Sequence, residues 1–241
     1  MADSSHLLSI PGFSDPVSSL SHLAGAVLFA ILGVALVMRG RGEVRRVFSL
    51  AVFAFSCVLL LSLSGVYHLL QHETPARSVL MRLDHAAIFV LIAGSFTPVH
   101  AILLRARWHR NLLLGIWLAA LAGLTLKMAY FDTMPSWLGL AMYLGLGWLG
   151  TISTVAIAHR FGWRFILPLV WGAFAYTIGA LVDHFHWPVL ISDIVGPHEV
   201  FHLAVLAGIS FHWAFIRTIA SGAYDGALHP QVPALHVLAR G

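Results

Sequence analysis

Two histidines four residues apart, His198 and His202, lie inside the last long apolar stretch of the chain. At that spacing both side chains project from one face of a helix. An earlier apolar stretch ends in Ser64-Gly-Val-Tyr-His68, where a hydroxyl and an imidazole are again one turn apart, and the next opens with Asp84-His85. Ionisable side chains are costly at membrane depth, so in such stretches they are functional candidates by default. Three histidines with a carboxylate are also the donor set of a catalytic zinc, whose fourth position stays open for water or substrate.

The elements that must position these residues follow from composition. The chain has 241 residues, of which 59% are hydrophobic and only 10% charged, and its mean hydropathy is +0.85. A soluble domain averages roughly 25% charged residues. The balance is that of an integral membrane protein. The net charge of +4 would suggest nucleic acid in a soluble chain. Here the basic residues fall in short runs between apolar stretches, which is a topology signal, and no nucleic-acid partner is expected. The single cysteine, Cys57, excludes an intrachain disulfide and a thiolate zinc cage. Fifteen histidines against ten acidic residues point to metal chemistry or proton handling. The first sixteen residues hold no Lys or Arg and so lack the basic start of a secretory signal peptide.

Crossing a bilayer takes about 20 mostly apolar residues. Seven stretches qualify, at roughly 20–38, 47–70, 83–104, 112–131, 137–158, 165–185 and 198–219. Backbone polarity in lipid allows only helices or a closed barrel, and these spans are too long for barrel strands. The expected fold is therefore all-α: a seven-transmembrane helix bundle formed by residues 1–241 as one integral membrane domain, with an irregular tail from about 220. Glycines recur within the spans, Gly115 and Gly123, then Gly139, Gly145, Gly147 and Gly150, then Gly172 and Gly179, as close helix packing requires. Trp108, Trp137, Trp163, Trp187 and Trp213 mostly fall near span ends, like an interfacial aromatic belt. Eleven of the fourteen Lys and Arg residues lie in the odd-numbered loops and the tail; Arg77, Arg82 and Lys127 lie on the other side. The positive-inside rule then puts the N-terminus outside and the C-terminus in the cytoplasm of what is expected to be a bacterial inner (plasma) membrane.

With the spans alternating in direction, the unusual polar residues fall toward one membrane face. His22 starts the first span, Ser64 and His68 end the second, Asp84 and His85 open the third, Lys127 ends the fourth, Asp183, His184 and His186 end the sixth, and His198 and His202 begin the seventh. Four residues of helix change depth by only about 6 Å, so the group occupies one thin layer. Scattered structural polar residues have no reason to share a layer, and a site does. Pro197 suits the first position of the last helix. His72 repeats the four-residue spacing after His68 but is expected past the helix end, at the surface. His184 and His186, two apart, point to different faces and are also placed at the surface. Lys127 is read as a snorkelling interfacial lysine, with pairing to Asp183 or Asp84 as the alternative. His100, His109 and His159 fall near the opposite face and are read as interfacial.

These motifs resemble those of the hemolysin III and progestin/adipoQ receptor group, which is similar in turn to the alkaline ceramidases. The resemblance rests on Ser64-x-x-x-His68 followed by Asp84, on His198-Glu-Val-Phe-His202, and on Ala93-Gly-Ser-Phe-Thr-Pro98. It covers essentially all seven spans. In the first span Asp15 and Ser18 stand where the family has Glu and Asn before a histidine, with His22 intact. The resemblance implies a zinc ion, Zn2+, held by His68, His198 and His202, with Ser64 and Asp84 as polar neighbours of its water. Three neutral imidazoles leave a doubly charged centre with one open position, which brings the pKa of a water there to about 7. Asp84 could take that water's proton, and Ser64 could hold the water or a developing oxyanion. Helix capping and orientation of a ligand histidine is the alternative role for Asp84.

The leading expectation is a zinc-dependent hydrolase acting on a lipid-derived, ceramide-like amide that enters laterally from the membrane. Its rivals are a receptor-like or structural zinc protein without turnover, and a membrane-damaging protein as the family name implies. Outside the family, haem held between histidines of two helices uses the same residues.

Overall fold

The structure, a computed structural model, describes residues 14–104, 106–191 and 194–224. Among these residues, seven helical segments are long and apolar enough to cross a membrane, and no strand forms beyond one isolated bridge between Ile191 and Val195. The helices are α1 (Pro16–Arg39), α2 (Val44–Leu69), α3 (Pro75–Ile102), α4 (Arg107–Ala129), α5 (Ser136–Trp148), α6 (Gly150–Phe161), α7 (Trp163–Phe185) and α8 (Pro197–Ile219). The protein is an integral membrane helix bundle. The expected tail beyond residue 224 lies outside the described residues.

Sequence-local signals set the helix starts. Pro occupies an opening position of α1, α3 and α8, where its missing N–H has no helical partner anyway. The Glu43 carboxylate accepts from the N–H groups of Arg45 and Arg46 at 3.1 and 2.9 Å and so caps α2. The Glu199 carboxylate turns back to accept from the Gly196 N–H at 2.9 Å at the head of α8.

Most helices start a few residues before the expected spans, and the third and fifth depart from them further. The third helix begins at Pro75, well before residue 83, with the Thr74 hydroxyl accepting from the Arg77 N–H at 3.3 Å. Arg77 and Arg82 lower the hydropathy of that stretch without stopping the helix. Asp84 therefore does not open α3 but lies about 13 Å along it, at about 1.5 Å per residue. It keeps the depth of Ser64 because α3 starts farther out than α2 ends. The fifth span is interrupted at Leu149, between Gly147 and Gly150, into α5 and α6. There the Ile152 N–H reaches the Leu149 carbonyl, a tighter i+3 bond, as kinks at glycines allow.

Neighbouring spans pack on one another in chain order, and α8 closes the bundle by packing on α1 and α3. Phe53, Leu50 and Leu61 of α2 and Ile209, Phe215 and Ile216 of α8 are fully buried in the main core. Phe89 and Ala93 of α3, Ile116 and Ala120 of α4 and Leu146 of α5 form a second one. Glycines let the backbones approach. A Cβ at Gly33 would lie 2.8 Å from the Ala54 Cβ, and one at Gly94 would collide with Ser56. Outside, large apolar side chains such as Val27, Ile31, Leu118 and Phe174 stand exposed where lipid would solvate them.

Candidate metal centre

The last turns of α2 and the first turns of α8 end at the same face, because the spans between them alternate in direction. His68, His198 and His202 meet there. The Nε2 atoms of His68 and His198 are 3.1 Å apart and those of His198 and His202 are 3.0 Å apart. One nitrogen from each of the three residues falls within 4.8 Å of the others. His68 and His202 are buried.

The opposite ring nitrogens decide what these contacts are. His68 Nδ1 donates to Asp15 Oδ2 at 2.9 Å, and His198 Nδ1 donates to Asp183 Oδ1 at 2.9 Å. With the proton held on Nδ1, each neutral ring presents a bare lone pair at Nε2. Two such lone pairs cannot hydrogen-bond one another; a positive charge between them, a metal ion or a second proton on one ring, removes the repulsion. Zinc–imidazole bonds of about 2.0–2.1 Å in a tetrahedron separate the nitrogens by about 3.3 Å, close to the spacing found. The donor set, three nitrogens and no thiolate, fits a divalent metal of the zinc type.

Around this centre the helices contribute a polar frame. The Asp15 carboxylate also accepts from Arg77 Nη2 at 2.7 Å. Burial pushes the Asp15 carboxyl up, but the hydrogen bonds from His68 and Arg77 outweigh it and hold the group well below the usual carboxylate range. His22 of α1 stacks on His202. The Ser18 hydroxyl donates to the buried Glu199 carboxylate at 3.0 Å, fastening α1 to α8. Asp84, half-buried, is hydrogen-bonded to Ser64 and lies within electrostatic reach of His198.

A family model described as haemolysin-III related matches residues 13–213. The chain belongs to the haemolysin-III family. Its similar relatives include "Hemolysin-3" of Bacillus cereus, 28% identical over 193 residues that cover 79% of this chain and 84% of the relative. "Hemolysin-3 homolog" of Bacillus subtilis (strain 168) is 29% identical over 193 residues, 79% of this chain and 87% of the relative. The matched stretch of this haemolysin-III chain runs from before Asp15 to beyond His202, so it contains every residue of the centre.

Several residues of the haemolysin-III chain sit where the sequence placed them, and others do not. His72 and His186 are exposed and stand apart from the three histidines. Lys127, expected to snorkel to the surface, is buried instead, its ammonium 4.8 Å over the Phe131 ring. Neither carboxylate suggested as its partner pairs with it: Asp183 serves His198 and Asp84 serves Ser64. His100 and His109, expected to be interfacial, are buried. His100 bonds the His109 carbonyl through Nδ1 and the Ser153 hydroxyl through Nε2, both at 3.0 Å, so it ties α3 to α4 and α6. His159 is exposed. Sequence reasoning missed the roles of Asp15, Arg77 and Asp183. Only Asp183 carried a local signal, since the last turn of α7 and the first turn of α8 are joined by a short connection and must face each other.

Proposed function

We propose that this protein is a zinc-dependent hydrolase of the membrane, acting on a lipid-derived amide of the ceramide type. The observation that carries the reading is the convergence of three imidazole nitrogens near a carboxyl, Asp84, that engages Ser64 and no ligand ring. In this reading His68, His198 and His202 hold the zinc, which when bound supplies Lewis acidity and a water acidic enough to lose a proton near neutral pH. Asp84 accepts that proton and returns it to the departing amine nitrogen. Ser64 donates its single hydroxyl proton to the Asp84 carboxylate and so holds the base in place beside that water. The amide C–N bond breaks, the acyl carbon gains the oxygen of water, and a carboxylate and an amine leave. Asp15 and Asp183 keep the two ligand rings in the tautomer that offers Nε2. In this reading the substrate enters laterally from the lipid that surrounds the apolar exterior of the spans.

The charge asymmetry of the loops supports an orientation with the N-terminus outside, the C-terminus cytoplasmic and the centre near the outer face of a bacterial inner membrane. A second reading, a receptor-like or structural zinc protein, draws on the way the centre joins α2 to α8, as a metal staple would. Membrane damage, which the name hemolysin implies for the relatives, is a third. The deciding experiment measures metal in purified protein and offers it mixed lipid amides, with products followed by mass spectrometry. Stoichiometric zinc with amine and fatty-acid release that chelation abolishes supports the hydrolase. Zinc without products favours the staple or receptor. Red-cell lysis that survives chelation favours membrane damage.

A further inference from the structure

We propose that Asp15 and Arg77 form a clasp that positions His68 and thereby sets the metal affinity of the three-histidine centre; this rests on the metal reading above. Neither residue is a ligand. Both act through the last turn of α2, where helix carbonyls have no partners of their own.

The contacts converge on that turn from two sides. The Asp15 N–H donates to the His68 carbonyl at 3.1 Å, while the Asp15 carboxylate accepts from the His68 ring at 2.9 Å. One residue thus grips the histidine at its backbone and at its ring. The Ser14 hydroxyl donates to the Leu70 carbonyl at 2.7 Å. From the head of α3, the Arg77 guanidinium donates to the carbonyls of Leu70 and Tyr67, to the latter at 3.4 Å. Its other Nη donates to Asp15 at 2.7 Å, and its Cζ lies 4.7 Å over the Tyr67 ring. Arg77 is buried. A planar fork with several donors can span two carbonyls and a carboxylate at once; an ammonium cannot do so in one geometry. The clasp therefore joins the segment before α1, the end of α2 and the start of α3 around one ligand.

The test is the zinc dissociation constant of the full-length protein in detergent, measured by competition with a chromophoric chelator. Asp15→Asn keeps the shape and loses the charge; Arg77→Met keeps the stem and loses the fork. Each is expected to weaken zinc binding by about 10- to 100-fold, the usual effect of losing an outer partner of a metal-ligand histidine. The double variant is expected to be no weaker than the worse single one, because both act along one path. Asp15→Glu is expected to restore most of the affinity, and Arg77→Lys is not. Single variants with wild-type affinity would overturn the clasp while leaving the metal centre intact. Wild type that binds no zinc would overturn the metal reading and the clasp with it. Thermal melts of stripped and zinc-loaded protein guard against simple unfolding. A melting temperature lowered equally in both states, with the zinc affinity of the folded protein unchanged, also overturns the clasp.

Discussion

His22 lies flat against His202, the ring centroids 3.9 Å apart and the planes at 25°, and its Nε2 donates to the His202 carbonyl oxygen at 3.3 Å. The second histidine of the His-x-x-x-His pair is thus backed by a fourth imidazole that faces the backbone of α8 and leaves the ligand nitrogens alone.

That arrangement separates ligands from support. His68→Ala, His198→Ala and His202→Ala are each expected to remove most of the bound metal, as measured by elemental analysis of purified protein. His22→Phe keeps a stacking ring and should retain near-stoichiometric metal. His72→Ala and His186→Ala, at exposed positions, should match wild type. Metal lost from His22→Phe as fully as from His202→Ala would make the centre a four-histidine site.

Asp84 engages the Ser64 hydroxyl instead of a ligand ring. Asp84→Asn preserves size and hydrogen bonding and removes the base. Hydrolysis of a lipid amide should fall about 10²-fold or more, the range of general acid–base groups, while zinc content stays near wild type. Loss of zinc in step with activity would instead assign Asp84 to holding the metal.

Orientation has a direct readout. Alkaline phosphatase fused after the last residue should be inactive and a cytoplasmic reporter at the same place active, given the eleven basic residues on that side. A strongly active phosphatase fusion would invert the molecule and put the histidine centre at the cytoplasmic face.

Packing is tight where α1 meets α2. Gly33→Val adds volume against the Ala54 Cβ, 2.8 Å from the first added carbon, and neither backbone can yield. A destabilisation of roughly 1–3 kcal/mol is expected, seen as a lower melting temperature in detergent. Gly145→Val meets no neighbour within 4 Å and should melt like wild type.

Periodicity and hydropathy made the seven spans readable, and their alternation alone put His22, His68, His198 and His202 at one face. The four-residue spacing of His198 and His202 needed only helix geometry. What the chain did not disclose depends on partners brought together by packing. Asp15 and His68 are 53 residues apart, and no local pattern pairs them. Arg77 and Arg82 hid the true start of α3 because a hydropathy count treats a helical arginine like a loop arginine. His100 was misplaced for a related reason: the approach of α3 to α4 and α6 buries it, and depth estimated from span ends says nothing about which neighbours cover a side chain.

The centre joins residues at opposite ends of the chain: His68 and His198 are separated by 130 positions. During synthesis α1, α2 and the carboxylate of Asp15 enter the membrane early, and α8 enters last. Until then two of the three imidazoles are missing, and no stable grip on a metal exists. Metal capture would therefore mark the completed bundle: a chain truncated before α8, or one whose last span fails to insert, would stay empty. A cell could distinguish finished molecules from unfinished ones by the ion they carry.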